Sequence, residues 1–198
     1  MTHRIQAWDF SKGDIPDLTD TESNLVVPEA KIHNDASVDI SEDGTLLVTL
    51  VPSNMPMQTL VGVYGLNASN KGRKIATHSL EYPPVSVSLS PTTKYLLVGY
   101  SMRHPRSRLA PFSLPSDPNL MAQIFYMQTL EGSGDPGSSE TIQAELNSRE
   151  LMPRMRLVHQ RDLHQNEHAV HLNCIRWIPV AGMGMVYATN TGIIKILR

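Results

Sequence analysis

The 198-residue chain has little of several features that would assign a protein to a class. Its single cysteine, Cys174, excludes a framework of internal disulfides and favours a reducing compartment. No apolar run approaches the length of a membrane span, and the first residues, with Asp9 and Asp14, lack the apolar core of a signal peptide. We therefore expect no membrane insertion and a cytoplasmic or nuclear location.

Neither positive nor negative charge predominates in the chain. The formal net charge of −2 provides no electrostatic reason to expect nucleic acid or an anionic membrane as a partner. With 40% hydrophobic and 18% charged residues, the composition is typical of a soluble globular protein with a core.

Recognisable catalytic motifs are lacking. The sequence contains neither a Gly-x-Ser-x-Gly nucleophile elbow nor a phosphate-binding glycine loop, so we expect no enzyme and no cofactor. Structural zinc needs four ligands in paired short spacings. His159, His164, His168 and His171, with Cys174, have spacings that a metal site could use. Because the cluster lies across an outer strand and a loop, we interpret the histidines as solvated or packing side chains. Arg103, Arg106 and Arg108 could bind phosphate or an acidic partner, but the lack of interleaved aromatics and the surrounding prolines favour a solvated loop.

What the chain does contain is a strand hairpin over residues 36–51. Apolar and polar residues alternate over 36–41, which predicts a strand with one buried face. Glu42-Asp43-Gly44-Thr45 predicts a tight turn, with Gly44 adopting the positive φ that such a turn requires. Residues 46–51 are almost wholly apolar, which predicts a strand buried on both faces.

The hairpin repeats. Residues 85–99 reproduce the alternating strand, the turn and the apolar strand, with Leu89 in the register of Ile40. A looser copy runs from Ile175 to Thr189, with its turn through Gly182 and Gly184. Repetition every fifty or so residues is long for one blade of four strands, but it favours radially arranged sheets over a single sandwich.

The order of strands predicts an incomplete all-β propeller. Residues 4–10 are predicted to be the third strand of a blade ending on Trp8-Asp9, residues 25–33 its outer strand, and residues 189–198 another third strand. The chain would then contain about three to four blades, open at both ends, as one domain over 1–198. A longer parent chain, a second segment or another copy would complete it.

Loop insertions are predicted near 101–119 and 131–150. Within the second, residues 131–140 have the composition of a flexible linker. Residues 141–153 could form one or two helical turns before Pro153.

Seven residues are assigned to the repeat itself: Trp8, Asp9, Asp39, Asp43, Gly44, Trp177 and Gly192. Asp39 lies on an inner strand, where an acidic side chain points to the central channel or to a donor on a neighbouring strand. We interpret it as a hydrogen-bond acceptor, with contact to a partner as the alternative. Trp8 and Trp177 are interpreted as core aromatics, although aromatics at the rim of a propeller can anchor partners.

The chain resembles the family of activating molecules in Beclin-regulated autophagy, in the C-terminal half of its split WD40 propeller. The resemblance rests on Arg4–Phe10, the 31–41 stretch with Asn-Asp-Ala-Ser-x-Asp-Ile-Ser, 85–91, 176–179 and 187–192. It implies a non-catalytic scaffold that promotes autophagosome formation and acts as substrate receptor of a cullin–RING ubiquitin ligase.

The resemblance also implies partners. They are the damaged-DNA-binding adaptor of the ligase, Beclin and the autophagy initiation complex, D-type cyclins as substrates, and the remainder of the propeller. Turnover of the cyclins would restrain the cell cycle. The resemblance also implies a location at autophagosome formation sites. Many WD proteins that bind the adaptor have an arginine two residues after Trp-Asp, where this chain has Ser11. The alternative is a generic WD-repeat scaffold with unrelated partners, and an enzyme using a propeller pocket is a more distant one.

Overall fold

A computed structural model describes residues 2–10, 13–55, 58–101, 120–127, 155–162 and 171–198. Those residues form thirteen β-strands and one short 3-10 turn, Asp35–Ser37. Within the same ranges, no helix is long and apolar enough to cross a membrane. The predicted insertion at 101–119, the linker at 131–140 and the helical turns at 141–153 lie almost entirely outside the described residues.

The strands form four antiparallel sheets in chain order. The first sheet pairs two strands, β1 (His3–Gln6) and β2 (Leu25–Ala30). The second sheet has the order β3 (Val38–Ile40), β4 (Leu46–Pro52), β5 (Thr59–Gly65) and β6 (Lys74–Leu80).

The third sheet repeats this arrangement with β7 (Pro84–Leu89), β8 (Tyr95–Tyr100), β9 (Leu120–Met127) and β10 (Met155–Asp162). The fourth sheet has three strands, β11 (Leu172–Trp177), β12 (Met185–Thr189) and β13 (Ile194–Leu197). Among the described strands no sheet closes on itself, so the prediction of an open, partial β-propeller is confirmed.

The sheets stack through their faces, with the inner strands β3, β7 and β11 side by side. The largest apolar cluster joins the second sheet to the third and includes Leu50, Val61, Val87, Leu96 and Phe125. A second cluster joins the third sheet to the fourth through Leu97, Leu172 and Ile175. A third joins β2 to the second sheet through Val26, Val27 and Leu47. Burial between consecutive sheets is what organises the fold.

The organising hairpin has the predicted turn and second strand. Gly44 has a φ of 70°, a conformation in which any Cβ would be strained. Residues 47–51 are all buried, with Val48 and Leu50 in one cluster and Leu47 and Val51 in another. The apolar strand therefore contacts a layer on each face, as its sequence predicts.

The first strand of the hairpin differs from the prediction. Residues 35–37 form a 3-10 turn capped by Asn34, and only 38–40 are paired as strand. Ile40, expected in the core, is 54% exposed, whereas its counterpart Leu89 is 6% exposed. The difference arises because Leu89 meets the four-stranded second sheet, but Ile40 meets a first sheet whose two strands are the outer ones.

Trp8 is likewise not a core side chain. The strand predicted over 4–10 ends at Gln6, so Trp8 lies in the connection that follows and is 36% exposed. The outer strand predicted over 25–33 ends at Ala30, after which the Lys31 amide donates to the Leu50 carbonyl of the second sheet at 2.7 Å. Both predicted strands are present, but each ends earlier than predicted, where tertiary contacts replace strand pairing.

Candidate functional site

The inner strands are joined by polar side chains of one sheet that accept backbone amides of the next. The Leu89 amide donates to Asp39 Oδ2 at 2.8 Å, across the boundary between the second and third sheets. At the following boundary the Ile175 amide donates to Ser86 Oγ at 3.1 Å and the Trp177 amide to Ser88 Oγ at 3.2 Å. These bonds satisfy amides that no strand partner reaches.

Asp39 also forms an ion pair with the fourth sheet. Arg176 Nη1 lies 2.8 Å from Asp39 Oδ1, and Arg176 Nη2 donates to the Asp35 carbonyl at 3.4 Å. The side chains of Arg176 and Asp39 are 35% and 20% exposed. One carboxylate therefore connects three sheets at the inner strands and stays partly exposed to solvent.

The predicted role of Asp39 as an acceptor matches this geometry, since its donors are Leu89 and Arg176. Sequence reasoning missed Arg176, Ser86 and Ser88. A signal was available, because aligning Ile40, Leu89 and Trp177 places Asp39, Ser88 and Arg176 at equivalent positions. Opposite charges at equivalent positions of the two inner strands that flank β7 suggest a pair.

The burial of Ser86 and Ser88 differs from the predicted solvated face of their strand. Strict alternation predicted one buried and one solvated face, yet Ser86 is fully buried and Ser88 is 3% exposed. The polar face of β7 lies against the fourth sheet, where its hydroxyls accept amides. A hydroxyl is tolerated in this boundary because it has a partner.

Asp43 holds the turn of the organising hairpin. Its Oδ1 accepts from Ser41 Oγ at 2.6 Å, from the Thr45 amide at 3.0 Å and from Thr45 Oγ1 at 2.8 Å. These bonds, that from Ser41 first, together lower the pKa of Asp43, although burial opposes them. Ser41 Oγ in turn accepts the Leu46 amide at 2.9 Å. Asp43 is therefore a turn-forming residue.

The remaining repeat residues lie apart from Asp39. Asp9 is exposed beside Trp8 in the connection after β1. Trp177 is half-buried at the end of β11 and packs against the cluster between the third and fourth sheets, consistent with a core aromatic. Its indole Nε1 is buried and has no hydrogen-bond partner among the described residues. Gly192, with a φ of 78°, forms the turn between β12 and β13.

The histidines are separated. His159 is on β10, whereas His171 and Cys174 are at β11, and His164 and His168 lie outside the described residues. In the part of the chain that the structure describes, no three His, Cys, Asp or Glu side chains are grouped to hold a metal ion. Arg103, Arg106 and Arg108 also lie outside the described residues.

Comparison with known proteins identifies homologues for the whole chain. It is 34% identical over 200 residues to activating molecule in BECN1-regulated autophagy protein 1A of Danio rerio, and 35% identical to protein 1B of the same organism. The chain is covered completely but spans only 14% and 13% of the lengths of these relatives. No family model matches the chain.

Proposed function

We propose that this protein is a non-catalytic interaction scaffold in autophagy. The basis is that the chain is homologous along its whole length to activating molecules in BECN1-regulated autophagy. The whole-chain homology carries the proposal, because it links this group of sheets to proteins named for Beclin-regulated autophagy. Beclin and the autophagy initiation complex are the partners proposed on this basis. The proposed locations are the cytoplasm, the nucleus and autophagosome formation sites.

The finer proposal is that the propeller serves as substrate receptor of a cullin–RING ubiquitin ligase. It would dock to the damaged-DNA-binding adaptor and present D-type cyclins for ubiquitination. The family resemblance seen in the sequence supports this role. A closed propeller offers the rigid rim that such docking needs, and proteins place binding residues on loops held by a rigid scaffold.

We further propose that the remainder of the propeller comes from elsewhere in the parent protein. The first sheet occupies strand positions three and four of a blade, and the fourth sheet occupies positions one to three. The two sheets cannot form one blade together, because β1 and β13 would both be its third strand. Two inner strands beside β1 and one outer strand beside β13 are needed.

The exposed side chains of β13 support this completion. Ile194 is 72% exposed and Ile196 is 57% exposed on a strand that, among the described strands, pairs only with β12. An edge strand with apolar side chains invites pairing with another strand. The length of the relatives leaves ample chain to supply one.

Co-purification with the ligase adaptor tests the receptor role. We expect this chain to capture the adaptor when it is expressed together with the rest of the parent propeller. Capture by this chain alone would locate the contact within its own sheets. If the two parts associate and fold without binding the adaptor, the receptor role is wrong, and a generic WD-repeat scaffold with unrelated partners replaces it.

A further inference from the structure

The connection between β1 and β2, residues 7–24, exposes an unusual concentration of large apolar side chains. Ile15 is 83% exposed, Phe10 61%, Leu18 56% and Trp8 36%. The topologically equivalent connection of the second sheet, residues 66–73, is fully described and has no exposed large apolar side chain. Joining a third to a fourth strand therefore does not require them. Several exposed large apolar side chains within one short connection are a feature of interaction sites.

Hydrogen bonds fix the 17–24 part of the connection internally, to β1 and to the second sheet. Asn24 Nδ2 donates to the carbonyls of Asp17 and Asp20 at 3.0 and 2.7 Å. Gln6 Nε2 donates to the Thr21 carbonyl at 3.0 Å. Lys71 Nζ of the second sheet donates to Asn24 Oδ1 at 3.0 Å. A surface fixed in advance loses little conformational entropy when it binds.

The charge of the connection is strongly one-sided. Lys12 is the only basic residue in 7–24, against five acidic residues: Asp9, Asp14, Asp17, Asp20 and Glu22. Hydrogen bonds from Thr19 and from Ser23 lower the pKa values of Asp17 and Asp20, respectively, so both carboxylates are ionised at neutral pH. Such a surface repels anionic membranes and nucleic acid and attracts basic protein segments.

Missing propeller strands are a poorer occupant for this surface. The strands absent from the first sheet are the inner ones, which would add beside β1. The 7–24 connection instead leads from β1 to the outer strand β2. The strands that complete the sheet would therefore pair with β1 and not with the connection.

We propose that the β1–β2 connection binds a basic amphipathic segment of a partner protein. Phe10, Ile15 and Leu18 would contact the apolar face of that segment, and the surrounding carboxylates would pair with its lysines or arginines. An amphipathic helix meets both requirements, since it presents apolar residues on one face and charges on the other. The inference is independent of the ligase adaptor and goes beyond the proposed function.

Three labelled peptides of equal length test the proposal by fluorescence anisotropy. One has leucines at i, i+3, i+4 and i+7 with lysines elsewhere; the second has glutamates in place of the lysines; the third has the first composition scrambled. We expect the first to bind at least about tenfold more tightly than the others, and more weakly at high salt. Equal binding of the scrambled peptide would overturn the proposal.

Variants locate the binding. Ile15→Ser combined with Leu18→Ser should weaken the first peptide about tenfold or more, and Asp14→Asn combined with Glu22→Gln should reduce the salt dependence. Met55→Ser, at an exposed methionine of another loop, is the matched control and should have no effect. Circular dichroism checks that each variant is folded. Unchanged binding by the folded Ile15/Leu18 variant would contradict the proposal, as would loss of binding when this chain is assembled with the rest of its propeller.

Discussion

Asp39 and Arg176 are 137 residues apart in the chain, and their side chains meet at 2.8 Å on the inner strands of the second and fourth sheets. The other carboxylate oxygen of Asp39 accepts the Leu89 amide of the third sheet. The pair is partly exposed, so its Coulombic contribution is modest. The carboxylate acts mainly by linking three sheets through one side chain.

We expect Asp39→Ala to destabilise the fold by about 1–3 kcal/mol, because the Leu89 amide loses its acceptor. Asp39→Asn keeps an acceptor oxygen and loses only the charge, so it should cost about 0–1 kcal/mol. Urea unfolding measures both. Equal losses in the two variants would mean that the ion pair, and not the amide bond, stabilises the junction. A double-mutant cycle with Arg176→Met should give a coupling of about 1 kcal/mol or less.

Gly99 determines how closely the third sheet approaches the fourth. A Cβ on Gly99 would collide with Ser86 Oγ and lie 2.6 Å from Ile175 Cγ2 and 2.7 Å from Leu172 Cδ2. Gly99→Ala should therefore destabilise the fold by about 1–3 kcal/mol through overpacking. Thermal unfolding checks this. Ala68→Ser, at an exposed loop position, is the control and should change stability by less than about 0.5 kcal/mol. Wild-type stability in Gly99→Ala would show that the two sheets can separate freely.

Asp43 should make the hairpin sensitive to acid. Its pKa is lower in the folded chain than in the unfolded one, so its stabilising effect is fully present above the ordinary pKa of 3.8 and is lost as the pH falls below that value. We expect Asp43→Asn to reduce the loss of stability between pH 5 and about pH 2 in urea unfolding. Ser41→Ala keeps the carboxyl but removes its main donor, and should reduce the same loss. A steeper acid dependence in either variant would contradict this assignment.

His78 acts in a different pH window. Burial beside Phe125 lowers its pKa below 6.5, with a smaller opposing effect of Glu81, so the unfolded chain binds a proton more readily. His78 should therefore have no effect on the stability of the fold above about pH 6.5 and should lower it as the pH decreases below that value. His78→Phe keeps an aromatic ring and removes the titration, so its unfolding midpoint should change less between pH 7 and about pH 5.5. An identical pH dependence in this variant would exclude His78 as the source.

The sequence was sufficient for most of the strands that the structure describes and for their order. Alternation at 85–90, the apolar run at 46–51 and the turn at Gly44 depend on local chemistry, and each lies where it was predicted. Local repetition also determined which strand of a blade comes first and last. The open ends follow from that order, and so does the partial propeller.

Only the tertiary structure decided which side chains meet and which remain exposed. Ile40 and Leu89 have equivalent positions, yet one is exposed and the other buried, because different sheets face them. Ser86, Ser88 and Arg176 acquire partners across sheet boundaries, at separations of 89 and 137 residues. Local patterns specify how a strand pairs with its nearest neighbours along the chain. They contain no information on the sheet that packs beside it, and that sheet decides burial, hydrogen bonding and the inner-strand junction.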